Sequence, residues 1–157
     1  MNAPIRNPAV QHQRGTAAVE FAIILPVIVA MLAFSLFFGR VFWHYSAAVK
    51  AAHDAARYLS SVPLAEMKTL ANATNVALVA RAIAEEEIAE LRTGGDPPVI
   101  TILCDTYTCD GLSAPTNINV TVRMGMFDNL LSGFTYQVLG DQPLVLTAAV
   151  STRYVGK

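Results

Sequence analysis

Residues 21–38 read FAIILPVIVAMLAFSLFF, and no charged side chain interrupts them. Only Pro26 and Ser35 break the apolar run. These eighteen residues, wound as an α-helix, rise about 27 Å, close to the roughly 30 Å hydrocarbon layer of a bilayer. The alternative is the core helix of a soluble domain, which needs other chain packed all round it. A 157-residue protein leaves too little to build that shell. The stretch therefore predicts a membrane-spanning helix, with room for one further domain.

The rest of the composition agrees. Apolar residues make up 54% of the chain and charged residues 15%, against about 25% charged in an average soluble domain. The net charge of −1 offers no electrostatic case for nucleic acid as a partner. Before the span, residues 1–15 (MNAPIRNPAVQHQRG) hold two prolines, two arginines and no acid. They show no helix or strand period and read as an unstructured cytoplasmic leader. After the span come Phe37-Phe38-Gly39-Arg40 and Val41-Phe42-Trp43-His44-Tyr45. That is an aromatic belt of the kind found at a membrane–water boundary, not the small-residue site at which a secretory signal is removed. The segment reads as a retained anchor. Its orientation is not decided by charge, because Arg6 and Arg14 precede the span while Arg40, Lys50 and Arg57 follow it.

From Val41 to Ser60 there is no Gly or Pro and much alanine, a strong helix former. Phe38, Phe42, Tyr45, Val49, Ala52, Ala56 and Leu59 step along one helical face. Arg40, His44, Lys50, Asp54 and Arg57 fall largely elsewhere, with Lys50 and Asp54 placed as an i,i+4 pair. One helix of some forty residues is expected, lipid-buried first and amphipathic afterwards, ending at Ser61-Val62-Pro63. A second helical region is expected from about Leu64 to Arg92, broken near Asn72 to Asn75. Val76, Val79, Ala80, Ile83, Ala84, Ile88 and Leu91 form its expected buried stripe. Glu85, Glu86, Glu87 and Glu90 gather at its far end and read as a solvated face rather than an ion or partner site. Gly94-Gly95-Asp96-Pro97-Pro98 stops it.

The period then changes to two. Val99–Cys104, Asn117–Met124 and Leu144–Tyr154 are predicted strands, with a weaker candidate at Thr135–Leu139 and a loop or short helix from Phe127 to Phe134. Ile118, Val120, Val122 and Met124 share one side, as do Leu146, Ala148 and Val150. Strands with one apolar face need a cover, and the upstream helices supply it. The fold class is α+β, a small antiparallel sheet on helices. Cys104 and Cys109 flank the first turn. A lone C-x4-C lacks the further ligands of a structural zinc site. Outside the cytoplasm it reads as a disulfide, with two free thiols as the alternative.

Catalysis finds no support. His44 and His53 read as surface helix residues, Gly94-Gly95 precedes prolines rather than a helix, and no metalloprotease, phosphate-loop or triad signature is present. Neither a cofactor nor a metal is expected.

The informative residues are Arg14-Gly15-Thr16-Ala17-Ala18-Val19-Glu20-Phe21. A carboxylate costs about 2.5–3.5 kcal/mol at the centre of a membrane helix and less near an end. Glu20 is therefore either a glutamate reaching back to the interface or a residue with a task. Cleavage after Gly15 would leave Thr16 with a new ammonium group four residues before Glu20. Opposite charges would then face each other at one helix end, on one subunit or between neighbours, with the helix dipole favouring Glu20.

A glycine, four residues, a glutamate and a long apolar helix resemble the processing site of type IV-pilin-like proteins. Residues 14–60 resemble the TadE-like family of the Tad (Flp) pilus system more specifically. They carry its Arg14-Gly15, Val19-Glu20-Phe21-Ala22, Pro26 within the span, Gly39-Arg40 at its end, and Ala52, Ala55, Ala56, Arg57 and Tyr58 beyond. The resemblance implies a minor pseudopilin with a pilin-like fold, single-pass in the bacterial inner membrane or incorporated in the pilus. It implies a leader at 1–15, a transmembrane helix at 16–40 and a periplasmic α+β domain at 41–157, an external placement that the cysteine pair also favours. It further implies prepilin peptidase cutting between Gly15 and Thr16, and Glu20 and Phe21 serving processing and assembly. Pro26 implies a kink. The implied partners are the peptidase, other Tad minor pseudopilins and the pilus assembly platform. Thr16 departs from the Phe that begins mature type II secretion pseudopilins and type IVa pilins, which argues against those groups. A signal-anchored binding or adhesion module outside any filament is the alternative; it needs the anchor but neither Gly15 nor Glu20.

Overall fold

The structure, a computed structural model, describes residues 13–91, 97–127, 136, 140 and 142–156. The chain is α+β. Helices α1 (Gln13–Ser61), α2 (Leu64–Met67) and α3 (Leu70–Ile88) precede strands β1 (Val99–Cys104), β2 (Asn117–Met126) and β3 (Leu144–Arg153). It divides into two compact units, Met1–Gly39 and Arg40–Lys157.

The described part of the first unit is the opening stretch of α1. Phe21, Ile23, Met31 and Leu36 are 61–69% exposed, a continuous apolar surface that water does not tolerate on an isolated helix. The helix is long and apolar enough to cross a membrane. The one polar side chain within residues 21–38 is met internally, since the Ser35 hydroxyl donates to the Met31 carbonyl at 3.0 Å. Pro26 lies inside the helix; its ring nitrogen carries no hydrogen, so the Ala22 carbonyl receives no donor from that position. The expected lack of structure over residues 1–15 is corrected at its end, where Gln13–Gly15 are helical. Extending a formed helix by a residue costs far less than nucleating one, and Gln and Arg are good helix formers. Residues 1–12 lie outside the described residues.

In the second unit the sheet runs β1-β2-β3, antiparallel throughout. Ile102 pairs with Val120 and Val120 with Val150; Ile100 pairs with Val122 and Val122 with Ala148. This register puts Ile100, Ile102, Ile118, Val120, Val122, Met124, Leu146 and Ala148 on one buried face, as the period-two reading expected. Each large one contributes about 1.5–3 kcal/mol by leaving water. Val99, Thr101, Val145, Thr147 and Ser151 lie exposed on the other face.

Helices cover the apolar face, and here several expectations are corrected. The expected face of α1 is buried in its later part, at Ala52, Ala56 and Leu59, but not at Phe42 and Tyr45. Ala48, Ala51, Ala52, Ala55, Ala56 and Leu59 have no exposed surface, whereas Phe42 is 66% exposed and Tyr45 43%. Alanine wins because its small side chain admits the closest approach of neighbouring elements, while the aromatic rings stay outside. His44 is buried at 3% exposure instead of lying on the surface; His53 is exposed as expected. The break in the second helical region falls at Lys68–Thr69, not Asn72–Asn75. Thr69 takes an extended backbone and its hydroxyl accepts from Asn72 N at 3.4 Å. It thereby caps an α3 that swallows both asparagines. On α3 the buried residues are Ala73, Val76, Ala80, Ala84 and Ile88, and Val79 points outward at 46% exposure. The helix stops at Ile88, short of Arg92.

The end of α1 and the segment after β3 are tied together. The N–H of Val155 donates to Ser60 O at 3.0 Å, and the Tyr154 hydroxyl donates to Val62 O at 2.7 Å. Carbonyls at a helix C-terminus have no partner within the helix; the segment following β3 supplies one. Gly156 fits against this joint because a Cβ there would come within 2.0 Å of Val62 O. Of the weak strand candidate Thr135–Leu139, only Tyr136 is described, and it is helical, its carbonyl accepting from Gly140 N at 3.0 Å. The Phe127–Phe134 segment lies outside the described residues apart from Phe127.

Candidate functional site

Gly15, Thr16, Glu20, Phe21 and Pro26 all lie on α1 and all are exposed. Glu20 stands one helical turn beyond Thr16, the i,i+4 relation in which side chains share a face. Gly15 has nothing within 4 Å of where a Cβ would sit, and its backbone does not take the left-handed conformation that favours glycine. Neither packing nor conformation calls for glycine here, and in a helix it costs about 0.8–1 kcal/mol relative to alanine.

Beyond the apolar run, the start of the second unit concentrates polar and aromatic groups. Arg40, Trp43 and His44 from α1 join Glu90 and Leu91, just past α3, around a cavity of about 260 Å³. His44 Nδ1 lies 2.8 Å from the Arg40 carbonyl oxygen, one turn earlier on the same helix. Its Nε2 is buried without a hydrogen-bond partner. Further along α1, Lys50 forms an ion pair with Glu87 on α3, and the expected i,i+4 partner Asp54 acts on it only through its charge. The hydrogen bond to Glu87 raises the Lys50 ammonium above its ordinary value, and the charges of Glu87 and Asp54 add to it. The acidic run at the end of α3 thus has one member engaged between helices.

Cys104 and Cys109 form a disulfide. The loop it closes is organised by Asp105, whose backbone is left-handed at φ 58°. Its carboxylate accepts from Asn117 N at 2.8 Å and Thr116 N at 3.1 Å, and its own N–H donates to Asn117 O at 2.8 Å. The loop then presses on the turn between α2 and α3: Gly111, at φ +72°, leaves no room for a Cβ against the Thr69 backbone at 2.5 Å. Sequence reading found the cysteines and missed Asp105, although an aspartate at a turn position following a strand was a usable signal. Nothing in the pattern of residues pointed to the cavity, whose walls come from two elements some fifty positions apart. Among the described residues, no group of three or more His, Cys, Asp or Glu is placed to hold a metal ion.

The fold and these features define a small α+β protein carrying one N-terminal helix capable of anchoring it in a membrane. The family model for TadE-like protein matches residues 15–57. Over that stretch the chain is similar to TadE-like proteins. The match starts at Gly15 and ends at Arg57, so it takes in Gly15, Thr16 and Glu20, the apolar run and most of the alanine face of α1. No curated protein and no solved structure matches the chain.

Proposed function

We propose that the chain is a minor pseudopilin acting in assembly or initiation of a Tad (Flp) pilus. Prepilin peptidase removes residues 1–15, and the α+β unit works in the periplasm without catalysing a reaction. The observation that carries this reading is Gly15. It begins the TadE-like match and sits in a helix where the fold has no use for glycine, so the residue answers to something other than stability. A peptidase that must bring a backbone close to its catalytic groups supplies that reason.

Cleavage gives Thr16 an ammonium group one turn before Glu20. At that helix end the dipole favours the carboxylate, and the new positive charge reduces the cost of holding an acid beside an apolar run. The same pairing works between subunits, with Glu20 of one chain meeting the Thr16 amine of its neighbour. Phe21 and the exposed side chains after it then pack against lipid in the membrane and against other pseudopilins in the assembly. Loss of Arg6 and Arg14 leaves nine basic and twelve acidic side chains, a net charge of −3.

The test is the N-terminus of the protein in cells with and without the prepilin peptidase, read by intact mass and N-terminal sequencing. A start at Thr16 that depends on the peptidase is expected. A start at Met1 or Asn2 in both strains favours the plain signal-anchored module.

A further inference from the structure

The rest of the chain treats the two edges of the sheet differently. In an antiparallel ladder, partners that exchange two backbone hydrogen bonds alternate with partners that exchange none. The Tyr154 N–H donates to Thr116 O at 2.9 Å, one step beyond the Asn117–Arg153 pair. Counting back by twos, Thr152, Val150, Ala148 and Leu146 bond to β2. The N–H and C=O groups of Val145, Thr147, Ala149, Ser151 and Arg153 therefore point out of the sheet at its β3 edge. On β1 the same alternation turns the groups of Ile100, Ile102 and Cys104 outward, and there the chain closes the edge. The Arg81 guanidinium on α3 donates to Ile100 O at 3.0 Å. The Cys104 N–H donates to Tyr107 O at 2.8 Å, and the Tyr107 N–H donates to Cys104 O at 3.2 Å.

β3 has no such cover: among the described residues, nothing bonds to its outward groups. Water meets them in the free protein, and another strand can replace that water. Proteins discourage such pairing with bulges, prolines, lysines or short edges. β3 runs ten residues in unbroken register, holds no Pro or Lys, and carries its only charge at its last residue, Arg153. The groups it presents are backbone donors and acceptors at strand spacing, so the matching ligand is an extended polypeptide. The charge of that ligand follows from the exposed face of the sheet, where the charged side chains are Arg123 and Arg153. Neither has an ion-pair partner among the described residues. Arg153 lies on the edge strand itself. Arg123 stands beside Thr147, whose small side chain lets the arginine reach toward an acid on an added strand, two strand spacings or about 9.5 Å away. The other face asks for apolar side chains, since Val150 is only partly buried against the core.

We propose that the β3 edge is a docking site for an extended acidic segment of another protein, added to the sheet as a fourth strand. Its acids stand opposite Thr147 and Arg153, and apolar residues alternate with the polar ones to cover Val150. The inference does not depend on the pilus reading.

The test uses the full chain in non-ionic detergent and a blocked synthetic peptide of the same length as β3. Valine alternates with threonine in the peptide, and glutamate replaces two threonines at the Thr147-to-Arg153 spacing. The readout is amide hydrogen exchange resolved by residue. Without peptide, the amides of Ala148 and Val150 exchange slowly and those of Thr147, Ala149 and Ser151 quickly. Millimolar peptide is expected to slow the second set about tenfold, the order of one hydrogen bond each. Lysine in place of the peptide's glutamates is expected to weaken binding several-fold, and Arg153→Glu in the protein to reverse that order. Ala149→Pro removes an outward N–H and none of the bonds to β2, a change that edge strands tolerate; it is expected to abolish the slowing at Thr147 and Ser151. Arg153 is exposed, so its variant reads the site even where the proline disturbs the fold. Fast exchange at the three amides in millimolar peptide overturns the proposal. Equal binding of the glutamate and lysine peptides does the same, as does slowing that a folded Ala149→Pro variant retains. Slow exchange without peptide that deepens with protein concentration makes a second copy of this chain the occupant and overturns the assignment to another protein.

Discussion

Tyr154→Phe tests how the second unit is closed. The hydroxyl donates to Val62 O at 2.7 Å, and Val62 is only 7% exposed, so water reaches that carbonyl poorly once the donor is gone. An unmet buried acceptor costs about 1–3 kcal/mol; the hydrogen bond is partly buried, which puts the expected loss at about 1 kcal/mol. Residues Arg40–Lys157, roughly 120 in number, have an unfolding entropy near 0.25 kcal/mol/K, so the midpoint should fall by about 4 °C. The assay is thermal unfolding of the full chain in detergent, followed by circular dichroism. Alkaline pH gives a second arm. Burial raises the Tyr154 phenol above its ordinary 10.0, so the folded protein holds this proton more tightly than the unfolded chain does. Its contribution is full below pH 10 and is lost as pH rises through the raised folded value. Lys50 is raised as well and loses its contribution in the same direction above 10.5. The informative quantity is therefore the difference between parent and variant, which should shrink above pH 10. A midpoint within 1 °C of the parent at neutral pH, or a difference unchanged by alkali, refutes the reasoning.

Gly156→Ala places a methyl 2.0 Å from Val62 O and 2.3 Å from the Tyr154 hydroxyl; since the first neighbour is backbone, a loss of about 1–3 kcal/mol is expected in the same melts. Cys104→Ser with Cys109→Ser, or reduction of the disulfide, should lower stability by no more than about 2 kcal/mol because the closed loop is short. A change beyond that in denaturant titration would assign the pair a larger role than pinning its turn. Glu20→Gln is expected to be cut after Gly15 yet to enter the pilus assembly several-fold less well, measured by the fraction extracted from the membrane; equal extraction would count against the charge pairing. Pro26→Ala restores a donor for the Ala22 carbonyl and stiffens α1. Piliation should drop if leaving the bilayer needs a bend there, and unchanged piliation removes that role.

Much of the fold could be read one segment at a time. The apolar run from Phe21 to Phe38 states its solvent by length and by lack of charge. The faces of β2 and β3 follow from strict alternation, because a shift of one residue would turn every valine outward. Ser61-Val62-Pro63 marks the end of α1, and the Gly15–Glu20 spacing stands in the sequence unaided. Other features needed two segments to meet. Hydrophobic periodicity joined Phe38, Phe42 and Tyr45 to Ala52, Ala56 and Leu59 on one face of α1; packing buries the last three together with Ala48, Ala51 and Ala55, leaves the aromatic rings outside and carries His44 inward. The Lys50–Glu87 pair, the Tyr154–Val62 tie and the cavity of Arg40, His44 and Glu90 join residues 37, 92 and up to 50 positions apart. Local pattern reports what each residue prefers to be next to. Which neighbour it obtains is decided only when the sheet and helices exclude water together.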